Sequence, residues 1–250
     1  MMLAGQTERY TRQAALPQIG WHGQEKLAAA TVVIIGCGAL GTVSAELLAR
    51  AGVGRLRLVD NDCVQLVNLV GQTLFDERDA RTRQPKVLAA YRELSRLNPT
   101  IAIEPMVARL DARNAERLIV GAGLVLDGTD NDATRYLINE VCVRHGIPWV
   151  FAGVLENYGL TMNFVPGETP CFACVFGLPE RRSGRNNCKK GPLASATHVV
   201  ASLQVSQALK LLLGDGGYNR RLVCVDAWEP AIEEVEVKSP LAGCRVCGRR

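Results

Sequence analysis

The sequence predicts an α/β protein on a doubly wound, mainly parallel sheet, and three observations carry that expectation. Continuous β-branched runs alternate with stretches of helical length and period, as strands buried on both faces and their covering helices should. A glycine-rich turn joins the first such run to the helix after it. The 250 residues, 48% of them apolar, suffice for one full α/β core with an appendage.

The elements follow in order. A charged arm over 1–30 precedes "TVVII", Thr31 to Ile35, which reads as a buried strand; "GCGALG" follows at 36 to 41, then an alanine- and leucine-rich helix to about Ala51. "RLRLV" gives a second strand ending at Asp60, and the three elements form a βαβ unit. A helix over 85–97, strands near 101–107 and 123–127, a helix over 131–145 and a strand over 148–152 continue the alternation. Past Gly153 the pattern changes: "GLTMNFV", "RLVCVD" and "AIEEVEV" read as strands, the last two as a meander. A long apolar helix, Leu193 to Leu213, lies among them and is closed by Gly214. Gly177 to Pro192 has no periodicity and carries Arg181, Arg182, Arg185, Lys189 and Lys190, which predicts a mobile loop.

Composition narrows the function classes. Net charge is only +4 with scattered arginines, so there is no nucleic-acid footprint. The first thirty residues lack a signal peptide's apolar stretch, and no segment reaches eighteen uninterrupted apolar residues, which predicts a cytoplasmic protein without a membrane span. Nine cysteines there suit metal binding or reactive thiols better than disulfides.

Gly36-x-Gly38-x-x-Gly41, with Ala39 inside it, sits where a strand turns into a helix, so N–H groups can face phosphate oxygens while Asp60 accepts from a ribose hydroxyl. Up to residue 60 a nicotinamide-linked oxidoreductase fits equally well. Cys171-x-x-Cys174 and Cys244-x-x-Cys247 are knuckles of the kind that hold tetrahedral zinc through four thiolates; with no open position, such a zinc is structural. A redox dithiol is the alternative, against which neither pair is expected to open a helix after a strand. In "DGTDN", Asp130 either caps the helix that follows or holds the Mg²⁺ of a triphosphate. Lys86, just after a helix-starting proline, is either solvated or catalytic. Cys37, Cys63, Cys142 and Cys224 read as packing residues, and His22, His145 and His198 have no triad or metal spacing.

In this order, the glycine-rich turn, the acidic residue after the second strand, "NL-x-x-Q", "QPK", "DGTDN" and the paired CxxC knuckles resemble the ThiF/MoeB/HesA proteins. These are ubiquitin-activating-type adenylyltransferases of sulfur-carrier pathways. The likeness runs from "RYTRQ" to "CRVCG" and includes "GQEKL", "AGVG" and "SLQVSQALKLLLG". It implies one Rossmann-like domain over 1–250: a helical arm (1–30), a nucleotide-binding core (31–165), and a crossover loop, long helix and zinc-stapled, partly antiparallel extension (166–250). It also implies a reaction, in which the C-terminal glycine carboxylate of a small ubiquitin-fold carrier ending in Gly-Gly attacks the α-phosphate of ATP, giving an acyl-adenylate and pyrophosphate. Carried over residue by residue, Asp60 binds the ribose, with Asp62 beside it, and Asn68 and Lys86 reach the phosphates. Asp130 holds Mg²⁺, Asn131 lies beside the nucleotide, and Arg135 lies near it unless it makes only a helix-surface ion pair. Arg12 reaches the nucleotide of a neighbouring subunit, which implies a homodimer. Cys188 in "NNCKKGP" stands where some relatives carry a cysteine that takes an acyl group or sulfur, and others one that does not.

One departure is pointed. The family pattern "NLxRQ" places an arginine on the phosphates, but here the run is Asn68-Leu69-Val70-Gly71-Gln72. Losing a preorganised charge there costs about 10²–10³ in rate. Three readings stand: an arginine from "DERDARTRQPK" (Arg78, Arg81 or Arg83) swings in, the expectation favoured here; the substrate brings compensating charge; or the protein is a catalytically weakened nucleotide-binding partner. Ala39 in place of a common glycine, and "GPLASATH" in place of "GVxxP", suggest a shifted substrate, such as a small-molecule or peptide carboxylate.

Overall fold

The computed structural model describes residues 4–177, 191–237 and 243–248. Two helices come first, α1 (Ala4–Ala14) and α2 (Gly20–Ala29). The alternation follows: β1 (Thr31–Ile35), α3 (Ala39–Ala51), β2 (Arg55–Asp60), a 3-10 turn (Leu66–Asn68), α4 (Glu77–Thr82), α5 (Lys86–Leu97), β3 (Ala102–Val107), α6 (Ala115–Ile119), β4 (Leu124–Asp127), α7 (Asp132–His145) and β5 (Trp149–Leu155). These five strands are parallel, in the order β3-β2-β1-β4-β5. The chain leaves β1 toward one edge for β2 and β3, then returns to the other side of β1 for β4. Such a reversal opens a crevice beyond the strands' C-terminal ends.

The pattern of β1 explains its uninterrupted apolar run. Val32 and Ile34 join Leu48 of α3 and Leu94 of α5 in one buried cluster, while Val33 and Ile35 join Leu118 of α6 and Ile138 of α7 in another. A strand covered on both faces has no polar side to alternate with. The helical arm is tied on by buried polar groups: Gln13 and Gln24 side chains both donate to Ala51 O (2.8 and 2.9 Å), and Asn98 Nδ2 donates to Ala49 O and the Tyr10 hydroxyl.

The remaining elements are β6 (Tyr158–Phe164), α8 (Phe172–Phe176), α9 (Ala194–Leu213), β7 (Leu222–Asp226) and β8 (Ala231–Val235), and β6 to β8 extend the sheet antiparallel to eight strands. The change of pattern at Gly153 marks a hairpin. Strand β5 runs past it to Leu155 and turns through Glu156 (φ 55°) into β6. Helices α4, α6 and α8 were not expected; at five or six residues each, they are too short for a 3.6-residue period to show. Gly214 does close α9, at φ 74°. Among the described residues no helix is long and apolar enough to cross a membrane.

Candidate nucleotide-binding and metal sites

The crevice is built on three glycines packed against one another. A Cβ on Gly41 would stand 1.9 Å from Gly36 O, and Cβ atoms on Gly36 and Gly128 would each stand 2.5 Å from the other's carbonyl oxygen. Only hydrogen fits, so the turn after β1 is clenched onto the end of β4. Gly38 differs, because a Cβ there would meet only Gly128 O at 3.8 Å. The protein's own packing does not require that glycine, and its bare Cα leaves the backbone open to a ligand. Gly38 is also the uncapped N-cap of α3, whose first N–H groups face outward along the helix axis.

Asp60, at the end of β2, accepts from Cys37 N–H and Asp62 N–H, both at 2.7 Å. The two bonds fix the carboxylate against the glycine turn and still leave each oxygen a lone pair for a hydroxyl. Segment 62–64 pairs with 84–86: Lys86 N–H donates to Asp62 O (2.9 Å) and Val64 N–H to Gln84 O (2.9 Å). That pairing brings Lys86 Nζ to 3.2 Å from Asp62 Oδ2, with Lys86 only 7% exposed. The lysine is buried and aimed at the site, not solvated. Asn68 Oδ1 accepts Gln65 N–H at 3.0 Å, which leaves Nδ2 as the donor of that side chain. Gln72 is buried with Oε1 lacking a hydrogen-bond partner, a polar atom that sequence reading did not single out.

At the end of β4, Asp127 is fully buried. It accepts from Thr129 N–H (2.8 Å), Thr129 Oγ1 (2.6 Å) and Arg135 Nε (2.9 Å). Burial pushes its carboxyl up, and Arg135 and Thr129 oppose that. Arg135 also donates to Thr129 O (2.8 Å) and stacks over Phe151 at 5.1 Å. It therefore makes an inward pair that shapes the 127–131 turn, besides the pair with Asp132 on its own helix (3.2 Å). Asp130 is exposed on that turn; the cap of α7 is Asn131, whose Oδ1 accepts Thr134 N–H at 3.0 Å. Asp130 is thus left free of the capping role, with lone pairs for a hard cation. Gln204 of α9, a buried clamp missed at the sequence level, donates to both Asp127 O and Val150 O (2.9 Å) and accepts from Ser44 (3.0 Å). Only its placement by the fold distinguishes it from a surface glutamine.

Gly71 has no left-handed φ; a Cβ there would meet only Ala39 Cβ at 3.4 Å and Ala194 Cβ at 3.8 Å. The missing arginine is not a steric necessity. Arg78, Arg81 and Arg83 are exposed, and Arg81 pairs with Glu77 at 3.1 Å. Arg12 is exposed on α1. Cys188 lies outside the described residues.

The two CxxC pairs converge. Cys171 Sγ lies 3.7 Å from Cys174 Sγ and Cys244 Sγ, Cys174 Sγ 3.5 Å from Cys247 Sγ, and all four sulfurs fall within 4.8 Å of one another. Tetrahedral zinc with Zn–S of about 2.3 Å needs S···S of about 3.8 Å, so this donor set fits. One expectation is corrected: Cys171 is the N-cap of α8, so the first pair does open a short helix. The second pair against it still makes four thiols, not a dithiol. Burial pushes the Cys171 and Cys247 thiols up, Cys247 to about 11. Burial also acts on Cys244, but the Cys247 and Val246 backbone N–H groups outweigh it and hold that thiol down to about 7.

Residues 10–246 match the ThiF family. The chain belongs to the ThiF family. Among its ThiF relatives are the sulfur carrier protein ThiS adenylyltransferase of Bacillus subtilis, 40% identical over 98% of this chain and 72% of that protein, and the sulfur carrier protein adenylyltransferase of Thermus thermophilus, 37% identical over 96% and 90%. The adenylyltransferase and sulfurtransferase MOCS3 of Sus scrofa is 39% identical, and this chain spans only 53% of its length. Among solved structures, Escherichia coli MccB with ATP superposes at a TM-score of 0.81 with 25% identity, covering 96% of this chain and 74% of that one. The same protein with MccA-N7isoASN gives 0.84 at 24% identity, covering 97% and 75%, a likeness of fold. The dehydrogenase alternative falls with the family match.

Proposed function

We propose that this ThiF-family protein is an ATP-dependent adenylyltransferase acting on the C-terminal carboxylate of a small ubiquitin-fold sulfur carrier ending in Gly-Gly. The observations that carry the reading are that Asp60 is bonded to the glycine turn through Cys37 N–H, that Lys86 is buried against Asp62, and that the turn bearing Asp130 packs through Gly128 on Gly36, at the sheet's switch point beside an open Gly38 backbone. A carboxylate oxygen of the carrier attacks the α-phosphorus. The bond from that phosphorus to the bridging oxygen breaks, and pyrophosphate leaves with the electron pair. Asp60 holds the ribose, Asn68 and Lys86 take phosphate oxygens, and Lys86 is kept ready by its pair with Asp62. Asp130 would hold Mg²⁺, which when bound neutralises phosphate charge. The chain's own contribution is to align the carboxylate and present fixed donors where charge develops. The four cysteines would hold zinc, which when bound fixes α8 and the 243–248 segment together. We place Arg12, exposed on α1, on a second copy of the chain, and the exposed Leu66, Val67 and Val70 beside Asn68, on the crevice side of the sheet, support a covered surface at the crevice.

The carrier substrate is favoured over a small-molecule or peptide carboxylate because two relatives, at 40% and 37% identity, are named for sulfur carriers. Incubating the protein with Mg-ATP and a Gly-Gly-ended carrier should give a carrier heavier by one adenylyl group in the mass spectrum. Adenylation of a peptide or small acid, with every carrier left unmodified, would assign the second substrate class instead.

A further inference from the structure

We propose that His198 is the phosphate-binding donor on the Gly71 wall of the crevice, contacting the β- and γ-phosphates of bound ATP; this rests on the adenylation reading. The wall consists of Ala39 opening α3, Gly71 and Ala194 opening α9. A Cβ on Gly71 would lie 3.4 Å and 3.8 Å from the Cβ atoms of the two alanines. Three small residues leave that side of the site without a charged side chain of their own. His198 stands one turn after Ala194 on the same face of α9, half-buried, with Nε2 3.5 Å from Gly71 O. A contact that long is at the limit of a hydrogen bond, so the imidazole can exchange it for a stronger acceptor.

Charge balance at the site shows why a donor is needed there. Lys86 is paired with Asp62, and Arg135 is drawn inward by Asp127 and bonded to Asp132. The exposed arginines of the α4 segment lie outside the pairing that carries Lys86, and Arg81 is held by Glu77. Asp60, Asp62 and Asp130 add negative charge to that of a triphosphate. The cations fixed beside the crevice, Lys86 and Arg135, thus stand on its β2 and β4 sides, each already sharing its charge with a carboxylate. The side lined by Gly71 is where an unneutralised phosphate would face neutral wall, and the ring that reaches it belongs to His198. A charge-assisted bond from Nε2 to a phosphate oxygen replaces the weak contact with Gly71 O. Residue 198 thus takes over, from across the wall, the work of an arginine at position 71.

The test compares ATP with AMP, because AMP ends before the β-phosphate. Binding of each nucleotide to the full chain is measured by calorimetry for wild type, His198→Ala, His198→Gln, His198→Lys and His198→Ala with Gly71→Arg. Loss of one charge-assisted bond should weaken ATP about tenfold in His198→Ala while AMP binding stays put. His198→Lys and the Gly71→Arg double variant should recover ATP affinity, and His198→Gln should recover it only in part. The proposal is overturned if ATP and AMP weaken together, if ATP binding is unchanged in His198→Ala, or if His198→Gln restores ATP fully, which would make the ring a mere prop for Gly71. Failure of the adenylation reading is separable: wild type that binds ATP without forming acyl-adenylate overturns that reading, whereas the ATP-to-AMP comparison still decides His198.

Discussion

Asp60 and Lys86 show how far single residues can be read. The acidic residue after a second strand is visible in sequence because its chemistry is local: the strand end and the glycine turn place it. The burial of Lys86 is not visible, because it depends on segment 62–64 pairing with 84–86, a contact between parts of the chain some twenty residues apart. The same holds for Arg135, whose inward aim is set by a fully buried carboxylate on another element. Removing the buried ammonium with Lys86→Ala should lower the rate of adenylation by about 10²–10³ with little loss of fold, a test that steady-state pyrophosphate release can make. The glycines predict the opposite. Gly41→Ala puts a methyl 1.9 Å from Gly36 O, where backbone and not a flexible side chain must yield. The variant should lose several kcal/mol of stability, about 3 or more, read as a lowered denaturation midpoint.

Strands are legible from their apolar runs, and helices in proportion to their length. Strands β1, β2 and β4 and helices α3, α5, α7 and α9 follow from period and punctuation, whereas α4, α6 and α8 carry too few residues to declare themselves. Yet the short α4 matters, because its Asp79 ties it to α5 through a two-pronged bond to Arg92 (2.8 and 2.9 Å) and so steadies the segment that delivers Lys86. The Arg92 bond, against the cost of burial, holds the Asp79 carboxyl below its usual range. A lowered folded-state value means the stabilisation is complete above the ordinary carboxylate range and vanishes as pH falls through the folded value. Asp79→Asn should therefore cost about 1–2 kcal/mol near neutrality, at the low end for charged bonds because Arg92 is half in water, and the gap to wild type should close in acid. Between elements, Gln204 joins α9 to β4 and β5 through two buried carbonyls. Gln204→Leu keeps the volume and orphans both oxygens, so it should cost about 2–4 kcal/mol in chemical denaturation.

At the scale of the molecule, one eight-stranded sheet joins a parallel half that makes the crevice to an antiparallel half, with the thiol cluster packed against Tyr136 and Val143 of α7. The sequence supplied the two CxxC pairs and their separation. That they meet depends on the chain returning past β8, which no local pattern encodes. If the cluster holds zinc, chelation should release about one equivalent per chain and lower thermal stability, and Cys174→Ser should reproduce that loss with adenylation surviving at low temperature. The parallel half carries the central claim, that Asp60, Lys86 and Asp130 activate a carboxylate on ATP. The most direct measurement is exchange of labelled pyrophosphate into ATP with a Gly-Gly-ended carrier present, in wild type and Asp130→Ala. Exchange that needs the carrier and falls at least about a hundredfold in the variant is the predicted result. Exchange that is absent with every carboxylate offered, or undiminished in Asp130→Ala, would contradict it.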